Sequence, residues 1–312
     1  MAEELEYADI EAAADRITGL VRPITVARAD PTDTQWLALE LLQHTGSFKA
    51  RGAANFVEAH HLSGTMPAAG VTIASGGNAG LACAWAAARV GVPATVFLPA
   101  TAPAVKVERL HSYGAQVRLE GSEYSQALAA SRAFAAEAGA LESHAYDHPL
   151  IAAGAGTLLT EIHRELPDLD TVVVAAGGGG LFAGVATAAA RHGIRTVAVE
   201  PVRCRALNAA LEAGHPVDVE IDSIAADSLG ARRATAMALR AARLSDTVSV
   251  LVTDSQIVAT RRALWEERRL AVEHAAATAL AALRSGAYRP AAGERVCVVL
   301  CGANTDPADL IP

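Results

Sequence analysis

The sequence predicts an α/β protein built on parallel sheets flanked by helices, and three observations predict it. Short β-rich runs alternate with Ala-rich helical stretches along almost the whole chain. The strand-like runs are near-continuously apolar, the pattern of strands buried on both faces. The chain has 312 residues, 52% of them apolar and 19% charged, which suits one large α/β unit or two intimately packed domains.

In chain order the pattern predicts a helix over Asp9–Leu20, a strand over Trp36–Leu42 and a helix over Phe48–Ala59. Strands follow at Val71–Ser75, Ala94–Leu98 and Gln116–Leu119, separated by helices at Ala79–Val90 and Ala104–Tyr113 and followed by one at Ser125–Ala138. The second half gives strands at Thr171–Ala175, Thr196–Glu200, Val248–Thr253 and Arg295–Cys301, with a helix over Leu181–Arg191. Asp218–Ala226 is the least patterned stretch and reads as a surface crossover. There is no internal repeat, low-complexity segment or obvious flexible linker, so domain boundaries are weakly marked.

Composition excludes several classes of function. The formal charge is −8 with no basic block, which argues against nucleic acid or an anionic membrane as the main partner. No apolar run reaches the length of a membrane span, and the acidic start Met1-Ala-Glu-Glu-Leu-Glu-Tyr lacks a signal core, so a cytoplasmic protein is expected. Cys83, Cys204, Cys297 and Cys301 form no C-x-x-C pair and read as reduced thiols. Of the 26 basic residues only Lys49 and Lys106 are lysines. Arginine stays protonated and cannot form a Schiff base, so chemistry that needs a lysine amine has two candidates.

Ligands of such sheets gather at the carboxyl ends of the strands. Four segments stand there: Thr45-Gly-Ser-Phe-Lys49, Ser75-Gly-Gly-Asn-Ala-Gly80, Gly177-Gly-Gly-Gly-Leu181 and Cys301-Gly-Ala-Asn304. Four glycines before a helix can turn successive N–H groups towards one anion, or can serve only as a closely packed turn. Gly178-Gly-Gly180-Leu-Phe-Ala183, with Glu200 ending the next strand, also satisfies a relaxed dinucleotide fingerprint. Ser75–Gly80 could hold a carboxylate, or Ser75 or Asn78 could simply cap the helix that follows. Lys49 opens a helix, where the positive dipole end favours the neutral amine that carbonyl chemistry requires; alone it would read as a solvated lysine. Lys106 lies in a mixed amphipathic helix and reads as a solvated face. Cys301 is a buried thiol or a weak hydrogen-bond partner at a strand end. Glu273-His274 either caps a helix or borders the cleft. His144, Asp147 and His148 read as a turn rather than as a metal set.

Together these segments resemble the fold-type II pyridoxal phosphate (PLP) enzymes, a two-domain fold like that of the tryptophan synthase β-subunit. The resemblance is to their serine/threonine dehydratase branch, which includes the threonine ammonia-lyases. It is carried by Thr45-Gly-Ser-Phe-Lys-Ala-Arg-Gly-Ala53, Ala74–Gly80, Gly177–Leu181, Val199-Glu-Pro201 and Leu300-Cys-Gly-Ala-Asn304, and spans about Ile10 to Asn304. It implies a large PLP-binding domain of residues 1–68 and 149–312 and a small substrate-loop domain of residues 69–148. By the same resemblance Lys49 would be the catalytic residue and hold PLP through a Schiff base, with Phe48 against its ring. Gly177, Gly178, Gly179, Gly180 and Leu181 would bind the phosphate, Asn78 the ring hydroxyl and Cys301 the pyridine nitrogen. Ser75, Gly76, Asn78 and Ala79 would surround the substrate carboxylate.

The implied reaction is α,β-elimination from a small β-hydroxy-α-amino acid of the L-threonine or L-serine type, giving a 2-keto acid and ammonia. A related lyase acting on hydroxyaspartate or an aryl serine is the near alternative, and a nicotinamide-dependent oxidoreductase the distant one. A homodimer is expected. Gly76 stands where racemases of this branch carry a serine, which argues against racemisation. Ala206 replaces the carboxylate of members with a structural divalent ion, so no metal is expected. Ala38 for a common lysine and His274 for a usual proline point to an altered substrate pocket. The catalytic segments run close to residue 312, so no regulatory domain and no control by isoleucine are expected.

Overall fold

A computed structural model describes residues 4–29 and 34–310. Helix α1 (Tyr7–Ile17) and strands β1 (Val26–Arg28) and β2 (Gln35–Ala38) lead into α2 (Lys49–Leu62). Next come β3 (Val71–Ala74), α3 (Asn78–Arg89), β4 (Ala94–Leu98), α4 (Ala104–Ser112), β5 (Gln116–Leu119), α5 (Tyr124–Ala138) and β6 (Leu141–Glu142). The chain continues with α6 (Pro149–Glu165), β7 (Thr171–Ala175), α7 (Gly180–His192), β8 (Arg195–Pro201), α8 (Ala206–Ala213) and the short α9 (Ala226–Leu229). It closes with α10 (Ala236–Leu244), β9 (Thr247–Val252), α11 (Asp254–Arg268), α12 (His274–Arg284) and β10 (Val296–Val299).

The strands form two sheets. The larger has the order β1-β2-β10-β7-β8-β9 and is parallel except for β1, which pairs antiparallel with β2. The smaller, β5-β4-β3-β6, is parallel throughout. The expected α/β class with helix-flanked parallel sheets is therefore what the chain forms. The interior strands β3, β4, β7 and β10 are buried at every position, which is why their sequences show no polar alternation. The core follows the two sheets. A large cluster around Val172, Val173, Val174, Val197, Val298 and Phe182 serves the first, and one around Val71, Ile73, Val96, Phe56 and Leu110 the second.

Two departures from the sequence pattern have physical causes. The strand predicted over Trp36–Leu42 stops at Ala38, and Glu40–Leu42 form a 3-10 turn. The turn carries the Glu40 carboxylate inward to Arg51, which donates to it at 2.7 Å and to Glu161 at 2.7 Å, with Arg51 fully buried. A buried arginine costs several kcal/mol unless it is fully paired, roughly the scale at which it overrides a strand. This triad also anchors α2, two residues beyond Lys49, to α6. Strands β1 and β6 are too short, at three and two residues, to show any periodicity.

Among the described residues no helix is long and apolar enough to cross a membrane. All four cysteines are buried and unpaired.

Candidate active site

Loops at the carboxyl ends of β3, β4, β7 and β10 converge on one cleft of about 550 Å³, with walls from both sheets. Phe48 donates its N–H to the Cys301 carbonyl at 3.0 Å, and Ser47 pairs with Gly302 in an isolated bridge, so the end of β10 fixes the start of α2. Lys49 Nζ consequently faces the cleft, donates to the Ala145 carbonyl at 2.9 Å and lies 4.6 Å from the centre of the Phe48 ring. Burial pulls its amine down to about 8, against the opposing pull of Cys301 and Glu273. An amine shifted this far holds a far larger neutral fraction near physiological pH than an ordinary lysine, and the neutral form is the one that attacks a carbonyl.

Residues Gly177–Gly180 are buried and Gly179 adopts a φ of 102°, the left-handed region that favours glycine. Among the described residues the N–H groups of Gly178, Gly179, Gly180 and Leu181 find no acceptor, as the first turn of a helix leaves them. They line the cleft together, an arrangement that can accept an anion. The tight-turn reading of these glycines holds as well: a Cβ on Gly178 would stand 2.3 Å from the Tyr146 ring.

At the start of α3 the cap position is Gly77, so neither Ser75 nor Asn78 caps the helix. Asn78 is instead the first helical residue. Its Nδ2 donates to both Glu273 oxygens at 3.1 and 3.0 Å, and its Oδ1 accepts from Asn304 Nδ2 at 2.6 Å. Asn304 Nδ2 also donates to the Thr45 carbonyl at 2.7 Å, so three of the four loops are stitched to one another. Ser75, Gly76 and Ala79 line the same cleft beside Asn78. Glu273 is buried, and burial pushes its carboxyl up to about 7, with Asn78 and Lys49 pulling the other way. Cys301 is buried against the cleft, and burial, reinforced by Glu273, holds its thiol well above the ordinary range and therefore neutral.

Every residue proposed from sequence for the site (Phe48, Lys49, Ser75, Gly76, Asn78, Ala79, Gly177–Leu181 and Cys301) lines this cleft. Other readings change. Lys106 is no simple solvated lysine: it lines the cleft and pairs with Asp227 at 3.0 Å. Ala38 lies buried in β2 and neither it nor His274 lines the cleft, so the pocket change inferred from them is not found there. Glu200 is fully buried and accepts from Leu207 and Asn208 N–H at 2.8 and 2.7 Å. It is spent on the start of α8 and cannot meet a ribose, which removes the second half of the dinucleotide fingerprint. Among the described residues no group of three or more His, Cys, Asp or Glu could hold a metal ion. His144 Nδ1 accepts the N–H groups of Tyr146 and Asp147, as a turn.

Sequence reasoning missed Tyr146 and Asp227 as cleft residues and left Glu273 undecided. Nothing local marks them. Glu273 reads as a helix-start acid until Asn78, 195 residues away, is placed against it.

Residues 14–302 match the family model of the pyridoxal-phosphate dependent enzymes. The chain belongs to this family. Within it the serine/threonine dehydratase branch is shown by relatives. This PLP-dependent enzyme is 36% identical over 310 residues to the L-threonine ammonia-lyase of Geobacter sulfurreducens, across 97% of this chain and 76% of that one. It is 38% identical over 272 residues to the phenylserine dehydratase of Ralstonia pickettii, across 86% of this chain and 82% of that one. Its fold matches the solved structure of maize serine racemase with a TM-score of 0.90 and 29% identity, covering 99% and 96% of the two chains. The cleft fits the cofactor of the family. Unpaired N–H groups at a helix start suit its phosphate, and a buried amine lowered to about 8 suits its aldehyde.

Proposed function

We propose that this chain converts a small β-hydroxy-α-amino acid of the L-threonine or L-serine type to a 2-keto acid and ammonia. The observation that carries the proposal is the Lys49 amine, turned into the same cleft as the Gly177–Leu181 cradle and the Ser75–Ala79 loop. Lys49 is the residue that binds PLP, Phe48 lies against the ring, and the N–H groups of Gly177–Leu181 hold the phosphate. Asn78 meets the ring hydroxyl and Cys301 the ring nitrogen. Bound PLP withdraws electrons from the substrate Cα, making the Cα–H acidic.

The protein's own groups do the rest. The N–H groups at the start of α3, with Ser75, Gly76, Asn78 and Ala79, orient the substrate carboxylate at a positive helix end. Lys49 Nζ takes the Cα proton as general base. The neutral Cys301 thiol is too weak an acid to protonate the ring nitrogen, which favours prompt loss of the β-hydroxyl over reactions that need long-lived charge at Cα. Gly76 offers no acid or base on its face, so no proton returns from that side. Water is lost at the β-carbon and regained when the product hydrolyses to keto acid and ammonia.

The large domain of this reading is residues 1–68 and 149–312 and the small one 69–148; the division of strands between the two sheets supports it. A homodimer in the cytoplasm, with an amino acid as its small-molecule partner, completes the proposal.

A screen of keto-acid release over serine, threonine, hydroxyaspartate and β-aryl serines tests it. Release from serine or threonine, abolished in Lys49→Ala, is the expected result. Loss in Lys106→Ala with Lys49→Ala active would overturn the assignment. An aryl serine as the preferred substrate would favour the second reading, which the apolar wall of Leu98, Pro99, Ala102 and Pro103 supports.

A further inference from the structure

The turn before α6 contains a residue that the loops at the strand ends do not explain. His144 Nδ1 accepts the N–H groups of Tyr146 and Asp147 at 3.2 and 2.8 Å, which closes the turn on itself. The closed turn does two things at once. It aims the Ala145 carbonyl at Lys49 Nζ, 2.9 Å away. It also lays Tyr146 along the glycine loop: a Cβ on Gly178 would meet Tyr146 Cε2, Cδ2 and Cζ at 2.3, 2.4 and 2.5 Å, and one on Gly180 would meet the Tyr146 carbonyl at 2.6 Å. The ring also stands edge-on to His144, with centres 4.9 Å apart and planes at 89°.

The ring edge nearest Gly178 includes Cζ, so the phenol oxygen, one bond further on, stands beside the backbone that forms the anion cradle. Tyr146 lines the cleft, and among the described residues its hydroxyl makes no hydrogen bond. A phenylalanine would supply the same packing against Gly178 without that polar atom. An unspent donor beside unpaired N–H groups is the chemistry of an anion site. Burial, together with Tyr124 and Asp147, keeps the phenol protonated, and hence a donor.

We propose that Tyr146 is a cofactor-anchoring residue: its ring sets the path of the Gly177–Gly180 loop and its hydroxyl donates a hydrogen bond to the phosphate group held there. The proposal rests on the reading that this loop binds the phosphate of PLP. It adds a side-chain donor, presented by the same turn that takes the Lys49 amine, to a cradle otherwise made of backbone.

The test uses the full chain freed of cofactor, titrated with PLP, with pyridoxal, which lacks the phosphate, and with inorganic phosphate as a competitor. Tyr146→Phe keeps the ring against Gly178 and removes only the hydroxyl. Its affinity for PLP and for phosphate should fall about tenfold, the weight of one hydrogen bond to a charged group, while pyridoxal binds as to the parent. Unchanged PLP affinity overturns the proposal, and so does an equal loss for pyridoxal, which would place the hydroxyl at the ring instead. A parent protein that takes up no PLP overturns both this proposal and the reading beneath it. If the parent takes up PLP but borohydride does not fix it to Lys49, the Lys49 assignment fails alone. The PLP-to-pyridoxal comparison then still decides the role of Tyr146.

Discussion

The loop between β7 and α7 and the loop between β3 and α3 both leave a buried parallel strand, pass through glycines and enter a helix N-terminus, yet their surroundings differ. Gly177–Gly180 is buried throughout, and added Cβ atoms would meet Leu229 at Gly177, Tyr146 at Gly178 and Gly180, and Ala238 at Gly179. Ser75–Asn78 is half-exposed. A Cβ on Gly77 would meet nothing within 4 Å, and the atoms nearest one on Gly76 are side-chain carbons of Leu98, at 2.8 and 3.7 Å, and of Lys106, at 3.7 Å. The first loop is shaped by packing. The second is held by a few polar ties, from Asn78 to Glu273 and Asn304. A preformed cradle suits a group that stays bound through many turnovers, whereas a loop held by hydrogen bonds can adjust as substrates enter and leave.

The sharpest way to break this comparison is to add the same methyl group to both loops. Gly178→Ala drives a Cβ into the Tyr146 ring and should cost about 1–3 kcal/mol of stability, with loss of most of the cofactor affinity. Gly77→Ala should change stability by no more than about 0.5 kcal/mol. Urea melts and cofactor titration of the two variants check this, and equal losses would end the distinction.

The polar ties of the second loop give the next effect. Burial raises the Glu273 carboxyl to about 7, so the folded state binds a proton that the unfolded state has already released between the ordinary carboxylate range and pH 7. Stability therefore falls as pH rises through that window, and the cost is complete above it. Glu273→Gln, which cannot ionise, should gain on the order of 1–3 kcal/mol over the parent above pH 7 and almost nothing near pH 4. Melts of the cofactor-free proteins at the two pH values decide it; a constant offset would show that the carboxyl is not buried as described.

The smallest effect concerns Gly76. A serine there needs the Leu98 methyl, 2.8 Å from the new Cβ, to move aside, a cheap shift for the end of a flexible side chain. Gly76→Ser should then produce D-isomer from L-serine about 10²-fold above the parent's background, by supplying an acid–base group on that face. Chiral chromatography of the residual substrate reads it, and D-product from the parent would contradict the role given to Gly76.

Much of the site was legible in the sequence because each of its loops is a short contiguous segment. Lys49, Gly177–Leu181 and Cys301 each follow a strand, and the rule that strand ends share one side brings them together. Trp36–Leu42 misled because the pattern of apolar residues contained no sign that Glu40 would be drawn inward by Arg51. Lys106 misled for a related reason: helical amphipathicity places a residue on a face, but not what that face meets, here Asp227 and the cleft.

By itself the sequence determined the α/β class and the order of the strand-end loops, because local periodicity and glycine placement encode these within a few residues, while the residues expected at the cleft came from the resemblance those loops carry. Only the tertiary structure decided that Glu273 grips Asn78, that Glu200 is spent on α8, and that Tyr146 lies along the glycine loop. Each of those contacts joins groups whose pairing depends on how elements pack, and no local pattern specifies the partner of a buried polar group.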